Sequence, residues 1–483
     1  MLGGIMDNEL SSLVVIFTEF YYWVTVVFMF LIHVGFCMYE VGVSRRKNQL
    51  HTLMKNTMLI PLITVTFFLF GWWIYFAFPN GPFLNSAGFQ QEGGGLITAV
   101  NALPWSELMG THMGGASFQE GITVDDTGFW ARINGVFWAA FLLFSWTTGS
   151  IVSGAVIERI RSGAFWILAV LLGSVLWILD AAWGWHWDGW MVHKLGYHDA
   201  YASGVVHAIA GGFALAVLIV LGPRIGKFKS DGTPRDIRPT NPWLVTVGLF
   251  LIFTGFWGFY AACNVPIIDF YGPDMLDVEG SYFTATNIYL SPTSLSGITF
   301  TFLMSLSGGL MAGYFMSKGD PFWTYSGGLA GVIAASAGND LYHPIQSMII
   351  GAVGVCLIYK LHYWVERKFK IDDAVGAVAV HGYAGFYGVV VAGFMLWGYP
   401  ASPFMESTIN PVGQFIGAII MFFVLGFFPG LIAAKILNSM GLLRIPREIE
   451  IAGLDLDYDI EDEKAAEELN NAVRDEAQKI GLL

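Results

Sequence analysis

Apolar runs follow one another along almost the whole chain, most of them 18 residues or longer, with short polar breaks between. Each such run is long enough to cross a hydrocarbon core, which takes roughly 20 helical residues. The pattern predicts spans near 12–43, 53–78, 129–157, 162–183, 199–222, 241–263, 293–316, 322–338, 344–362, 375–397 and 411–438. The expected fold is an all-α polytopic membrane protein of about 11 transmembrane helices. An odd number of spans puts the two termini on opposite sides. The basic residues then give an independent orientation, because cytoplasmic loops are enriched in Lys and Arg. One side collects 22 of the 24 basic residues, including Arg45, Arg46, Lys47, Lys55, Arg159, Arg161, Arg224, Arg367 and all six from Lys435 onward. Only Arg132 and Lys194 fall on the other. Hydropathy and charge therefore agree on an outside N-terminus and a cytoplasmic C-terminus. Met1 to Ser12 is short and carries no Lys or Arg, so the first span is expected to serve as its own insertion signal.

Composition sharpens the class. With 55% hydrophobic and 13% charged residues and a mean hydropathy of +0.58, the chain lies outside the range of ordinary soluble domains. The pattern divides it into a transmembrane domain over 1–440, with an external loop at about 79–128, and an acidic tail over 441–483. That tail holds 12 acidic and 5 basic residues, so 7 of the 13 net negative charges lie in it and a nucleic-acid role has no support. Its Glu- and Ala-rich end has helix-forming composition. Cys37, Cys263 and Cys356 share no CxxC spacing, which argues against a disulfide framework and against zinc or iron–sulfur sites. No cofactor and no enzymatic centre are expected.

Two segments echo one another. Gly204-Val205-Val206-His207-Ala208-Ile209-Ala210-Gly211 lies in the fifth predicted span and Val378-Ala379-Val380-His381-Gly382-Tyr383-Ala384-Gly385 in the tenth. Equivalent places in two five-helix halves are what an inverted repeat produces, and such a repeat brings its matched elements together at the centre of the membrane. A histidine within a span is costly unless it faces protein or a watery path, so His207 and His381 are candidates for function. The plainer reading is a pair of core histidines satisfied by backbone. Two neutral imidazoles can share one hydrogen bond and turn their other nitrogens to a lumen, which suits a small polar molecule or a proton. A histidine-bound metal is the alternative, although two ligands are few for zinc or haem. Asp199, eight residues before His207, can cap a helix N-terminus and can also attract a cation to an outer mouth. Trp183, Trp185, Trp187 and Trp190 crowd the segment before it, where aromatic faces suit either an interfacial belt or a cation.

Five motifs in order carry a family resemblance: Gly42-Val43-Ser44-Arg45-Arg46-Lys47-Asn48, Gly154-Ala155-Val156-Ile157-Glu158-Arg159, Asp199 with His207, Gly255-Phe256-Trp257-Gly258-Phe259, and Asp372-Asp373 leading to Val380-His381-Gly382. The chain resembles the ammonium transporter family, the Amt/Mep/Rh group, and is closer to its Amt branch. That resemblance implies a homotrimer with one pore per protomer, in the cell membrane, carrying ammonium or ammonia through the bilayer. It implies external recruitment of ammonium by Trp187, Phe144 and the place of a hydroxyl, held here by Cys263, with Asp199 beside them. It implies a phenylalanine gate of Phe144 and Phe259, with Ala140 where an outer neighbour stands, and a pore lined by His207 and His381. Cys263 replaces the usual serine with a weaker hydrogen-bond partner, and Tyr260 stands where Asn is common. Tyr458-Asp459 occupies the place of a usual His-Gly, so a PII-type regulator of the tail is not assumed. Other readings are an ammonium sensor, a channel for another small neutral molecule such as carbon dioxide, and a membrane redox enzyme.

Overall fold

The computed structural model describes the chain apart from residue 1 and residues 82–125, 187–188, 266–284, 290, 403–405, 456–462 and 480–483. Most of the expected external loop, Trp187 and Tyr458-Asp459 lie outside the described residues. The protein is an all-helical, multi-pass membrane protein. Its main helices are α1 (Leu2–Val43), α2 (Arg46–Ala77), α3 (Asp126–Ala155), α4 (Ser162–Gly184), α5 (Ser203–Leu221), α6 (Pro242–Ala262), α7 (Leu295–Ser317), α8 (Pro321–Ser336), α9 (Pro344–Phe369), α10 (Val378–Met395) and α11 (Pro411–Ser439). Two helices of the tail follow, α12 (Arg447–Ala452) and α13 (Glu463–Lys479). Three short strands, β1 (Asn264–Val265), β2 (Ala285–Asn287) and β3 (Pro292–Thr293), form an antiparallel patch beyond α6. Ten of the main helices are long and apolar enough to cross a membrane, and the expected span at 322–338 differs from them. Its helix, α8, has only 16 residues, and every residue from Ser326 to Ser336 is buried.

Local chemistry fixes where several helices begin. Asn241, Asp320 and Asn410 each accept a hydrogen bond from a first-turn N–H and are followed by proline. Such a cap satisfies a donor that would otherwise be orphaned, and proline at the first helical position has none to lose.

The halves pack as the repeat requires. Helix α1 lies on α6, the first helix of each half, at glycine contacts so close that a Cβ on Gly35 would stand 2.5 Å from the Gly248 carbonyl oxygen and one on Gly248 would stand 2.7 Å from the Gly35 oxygen. Close backbone approach through small residues supplies the packing that lipid does not drive. Helix α5 meets α10 in the same manner. A Cβ on Gly211, four residues past His207, would stand 2.1 Å from the Cα of Gly382, one residue past His381. Reciprocally, a Cβ on Gly385, four past His381, would stand 2.8 Å from the N of Ala208, one past His207. This exchange of contacts is the signature of a two-fold relation between antiparallel segments.

At one end of the bundle the tail ties three inter-helix segments together. Arg224 grips Asp372 with Nε at 2.8 Å and Nη2 at 3.0 Å, and its Nη1 reaches Glu158 at 3.4 Å. Glu158 also receives Arg45 Nε at 2.8 Å, and Arg159 Nη2 donates to the Asp372 carbonyl at 2.6 Å. Onto this network the tail lays Arg444, which donates to the Leu221 and Pro223 carbonyls and to Glu450. Asp455 then caps α2 through the Leu50 and His51 N–H groups, each at 2.8 Å. Burial alone would raise the Asp372 and Glu158 carboxyls, but Arg224, with Arg159 at the first and Arg45 at the second, holds both below the usual carboxylate range. Their stabilisation is thus fully present above the unfolded carboxylate range near pH 4 and is lost as pH falls through the lower folded values. Arg224→Met should cost about 3–5 kcal/mol by leaving two carboxylates without their shared partner. Thermal unfolding in detergent from pH 3 to 7 should show the acid limb of the variant displaced to higher pH, roughly toward the ordinary carboxylate values.

Candidate functional site

The site is built around two carboxylates that begin two helices. Asp199 is fully buried. Its Oδ1 accepts from the Ser203 N–H at 2.7 Å, and its Oδ2 from Gly204 and Val205 at 2.8 and 2.9 Å and from the Tyr197 hydroxyl at 3.2 Å. Asp373 repeats the arrangement on α10, with Ala377 N–H on Oδ1 at 2.9 Å and Val378 and Ala379 on Oδ2 at 2.9 and 3.4 Å. Both stand eight residues before their histidine. In each case the helix opens as a wide π turn, Ser203–Ala208 and Val378–Tyr383, which contains the histidine. Such turns recur at functional sites because they redirect a side chain without ending the helix. Capping therefore occupies the Asp199 carboxylate directly, and a cation at the outer mouth would feel it only at a distance.

From there a line of rings runs through the bundle. Trp185, whose indole N–H donates to the Asp199 carbonyl at 2.7 Å, lies 5.1 Å from Phe144. Phe144 and Phe259 meet edge to face at 4.6 Å and 83°. Phe259 lies 5.7 Å from His207 with its plane within 17°, and Phe256 flanks the same imidazole at 5.9 Å and 9°. His207 and His381 then face each other with Nδ1 atoms 3.1 Å apart, and Phe36 borders His381 at 6.2 Å. One of the two Nδ1 atoms must donate and the other accept. The Nε2 atoms are thereby left in opposite roles, one an acceptor and the other a donor. His207 Nε2 is buried and has no partner among the described residues.

The structure brings Phe144, Phe259, His207 and His381 into one file and sets Asp199 at the head of the helix that carries His207. Cys263, fully buried, lies one turn beyond Phe259 at the C-terminal cap of α6. Ala140 is buried one turn before Phe144, where Phe141 and Trp185 supply the bulk instead. Trp187 lies outside the described residues. Among the described residues, no group of three or more His, Cys, Asp or Glu is placed to hold a metal ion.

The profile described as the Ammonium Transporter Family matches residues 20–463. The chain belongs to the ammonium transporter family. The ammonium transporter Amt2 of Archaeoglobus fulgidus is 27% identical over 444 residues, covering 87% of this chain and 82% of its own. Amt2 of Methanocaldococcus jannaschii is 29% identical over 440 residues, covering 89% and 87%. Among solved structures, one described as a sensor Amt protein superposes with a TM-score of 0.69 at 22% identity, covering 92% of this chain and 98% of that one. Mep2 of Saccharomyces cerevisiae superposes at 0.64 and 17% identity, covering 89% and 87%. At these identities the structural likenesses speak for the fold alone.

Two groups take their meaning only from tertiary contacts. Tyr260 stacks on Tyr201 at 4.1 Å and 9°, and its hydroxyl meets Ser336 Oγ at 2.7 Å and accepts from Asn339 Nδ2 at 2.9 Å. Thus an amide does stand beside the gate helix, but it comes from the segment after α8. Glu40 and Lys55 are both buried inside spans, although Lys55 reads in sequence as one more loop cation. The signal that marks them is general, since a charge within a span is costly and rarely idle. The caps yield a graded expectation. Asp199→Ala should cost about 3 kcal/mol by orphaning three N–H groups, and Asp199→Asn, which keeps an acceptor, clearly less. Thermal unfolding of the purified variants would read the difference, and Asp373→Ala should match Asp199→Ala if the two caps are equivalent.

Proposed function

We propose that the chain moves ammonium nitrogen across the cell membrane as ammonia, by a pore through each protomer of a homotrimer, with the N-terminus outside and the tail in the cytoplasm. Ammonium is recruited at an outer site of Trp187, Phe144 and Cys263, within the field of Asp199. There it gives up a proton, and ammonia passes the Phe144 and Phe259 rings and moves along His207 and His381 before it is protonated again inside. The physical reason for this order is desolvation. A bare ammonium ion entering an apolar lumen would lose several kcal/mol or more of hydration, whereas neutral ammonia loses far less. Potassium has no proton to shed and is refused.

The observation that carries the reading is the contact of His207 with His381, Nδ1 to Nδ1 at 3.1 Å, beneath two phenylalanine rings and with His207 Nε2 unpartnered. An apolar file with one unsatisfied ring nitrogen suits a small neutral molecule that both donates and accepts. Cys263 in place of a hydroxyl weakens the outer site and lowers affinity for external ammonium.

The test is transport in liposomes by two readouts, current on a solid-supported membrane and luminal pH after an ammonium gradient. Wild type should respond to ammonium and not to potassium. His207→Ala and His381→Ala, checked for folding by thermal unfolding, should retain less than about a tenth of the response, the loss that accompanies roughly 1.4 kcal/mol, or should admit potassium. Wild-type silence in both readouts, with the protein folded and inserted, would favour a sensor.

A further inference from the structure

Past His381, toward the end of the bundle that carries the tail, lies a cavity of about 10 Å³, room for roughly one water-sized occupant. Its walls include His381, Phe36, Tyr39, Ser150 and the carboxylate of Glu40. Glu40 lies on α1 and is wholly buried. Its two oxygens are used very unequally. Oε2 accepts from Ser153 Oγ at 2.7 Å and from Asn56 Nδ2 at 2.9 Å. Oε1 is buried and has no partner among the described residues.

The nearest cation does not repair this. Lys55 Nζ stands 3.9 Å from Oε2, too far for a hydrogen bond. It donates to the Ser153 carbonyl at 2.9 Å and lies 5.0 Å from the centre of the Phe165 ring. Lys55 balances the charge of Glu40 from a distance and leaves Oε1 beside Gly154, another wall of the cavity, where a Cβ would stand 3.5 Å from it. Beyond the cavity, Tyr39 stacks on Phe322 at 6.1 Å and 14°, and Phe322 borders a wide pocket of about 630 Å³ at the tail-bearing end. The cavity thus lies between the paired histidines and the opening at that end.

We propose that Glu40 Oε1 is a binding site for a compact monovalent cation with N–H donors, ammonium in the first place, on the inner side of the histidines. The proposal rests on the transport reading for its context and deepens it by naming where the ion stands before it leaves. A buried carboxylate oxygen without a partner carries a large desolvation cost, and a small cation in the adjoining space removes it. Ammonium matches the cavity in size, and its N–H groups find Oε1, the Ser150 hydroxyl and the His381 ring among the walls. Lys55 competes for the same negative charge, so removing its cation strengthens the site.

The experiment compares thermal unfolding of the purified full chain in ammonium chloride and in sodium chloride at equal ionic strength. It uses wild type, Lys55→Met, and the double variant Glu40→Gln with Lys55→Met, in which both charges are gone. The external site is common to all three proteins, so differences among them isolate Glu40. Lys55→Met should unfold at least about 1 °C higher in ammonium than in sodium, the shift expected for roughly 1 kcal/mol of ligand stabilisation in a chain of this length. If that variant folds only in ammonium, the result is the same. The double variant, which keeps the external site, should show an ammonium-specific gain smaller than that of Lys55→Met by that amount. In liposome currents the half-saturating ammonium concentration should fall for Lys55→Met, while Glu40→Gln alone should weaken the current. A purely structural ion pair would impair both variants in the same direction. An ammonium-specific gain in Lys55→Met no larger than that of the double variant overturns the proposal. Transport by wild type without that gain removes the Glu40 site and leaves the pore intact. The gain without transport upholds the site and removes the transport reading.

Discussion

Burial away from water sets the terms for every polar group inside this bundle. A donor or acceptor there has no solvent to fall back on, and leaving it unpaired costs about 1–3 kcal/mol, more for a charge. Most of the interior obeys that rule closely. Asp199 and Asp373 each spend a whole carboxylate on the first turn of a helix, and Arg159 spends its guanidinium on backbone carbonyls at the end of the bundle. Among the described residues several buried polar atoms lack a partner, both nitrogens of His33 and both carboxylate oxygens of Asp180 among them. His207 Nε2 and Glu40 Oε1 are the two that lie on either side of His381.

The same economy explains why the repeat is kept where it is. Two helices that bring their histidines within 3.1 Å must let their backbones approach closely. Gly211 against Gly382 and Gly385 against Ala208 permit that approach. Each helix must also start abruptly, with its first N–H groups satisfied inside protein, and a carboxylate eight residues upstream does so in both halves. The wide turn that follows turns each imidazole toward its counterpart. Cap, turn and glycine therefore form one device used twice, and the two-fold relation between the halves brings its two products together.

Much of the architecture was legible because hydrophobic length and charge bias are properties of the chain itself. The expected spans coincide with helices, most ends agreeing within a few residues while α1 and α2 begin 10 and 7 residues earlier and α9 ends 7 later. The matched segments around His207 and His381 point to each other in the sequence itself. What stayed hidden depends on tertiary contact. Helix α8 reads as a span by its apolar run, and what the run does not tell is that its helix has only 16 residues and is buried throughout from Ser326 to Ser336. The predicted span at 199–222 begins as a helix only at Ser203, because Asp199 is spent as its cap. Trp185 is one tryptophan among four in sequence, and its 5.1 Å contact with Phe144 and its bond to the Asp199 carbonyl set it apart from Trp183 and Trp190. Glu40 was masked by the long apolar run around it, and its relation to Lys55 and Ser153 joins three different helices.

The central claim is that the file from Phe144 to His381 carries ammonium nitrogen through the bilayer. Its most direct test is growth of a cell deprived of its own ammonium uptake systems, on limiting ammonium as sole nitrogen source, with the chain present and its delivery to the membrane verified. The account predicts restored growth that disappears again at high external acidity, where less ammonia forms at the outer mouth. Verified delivery with no gain in growth at any ammonium concentration that limits the host would contradict it.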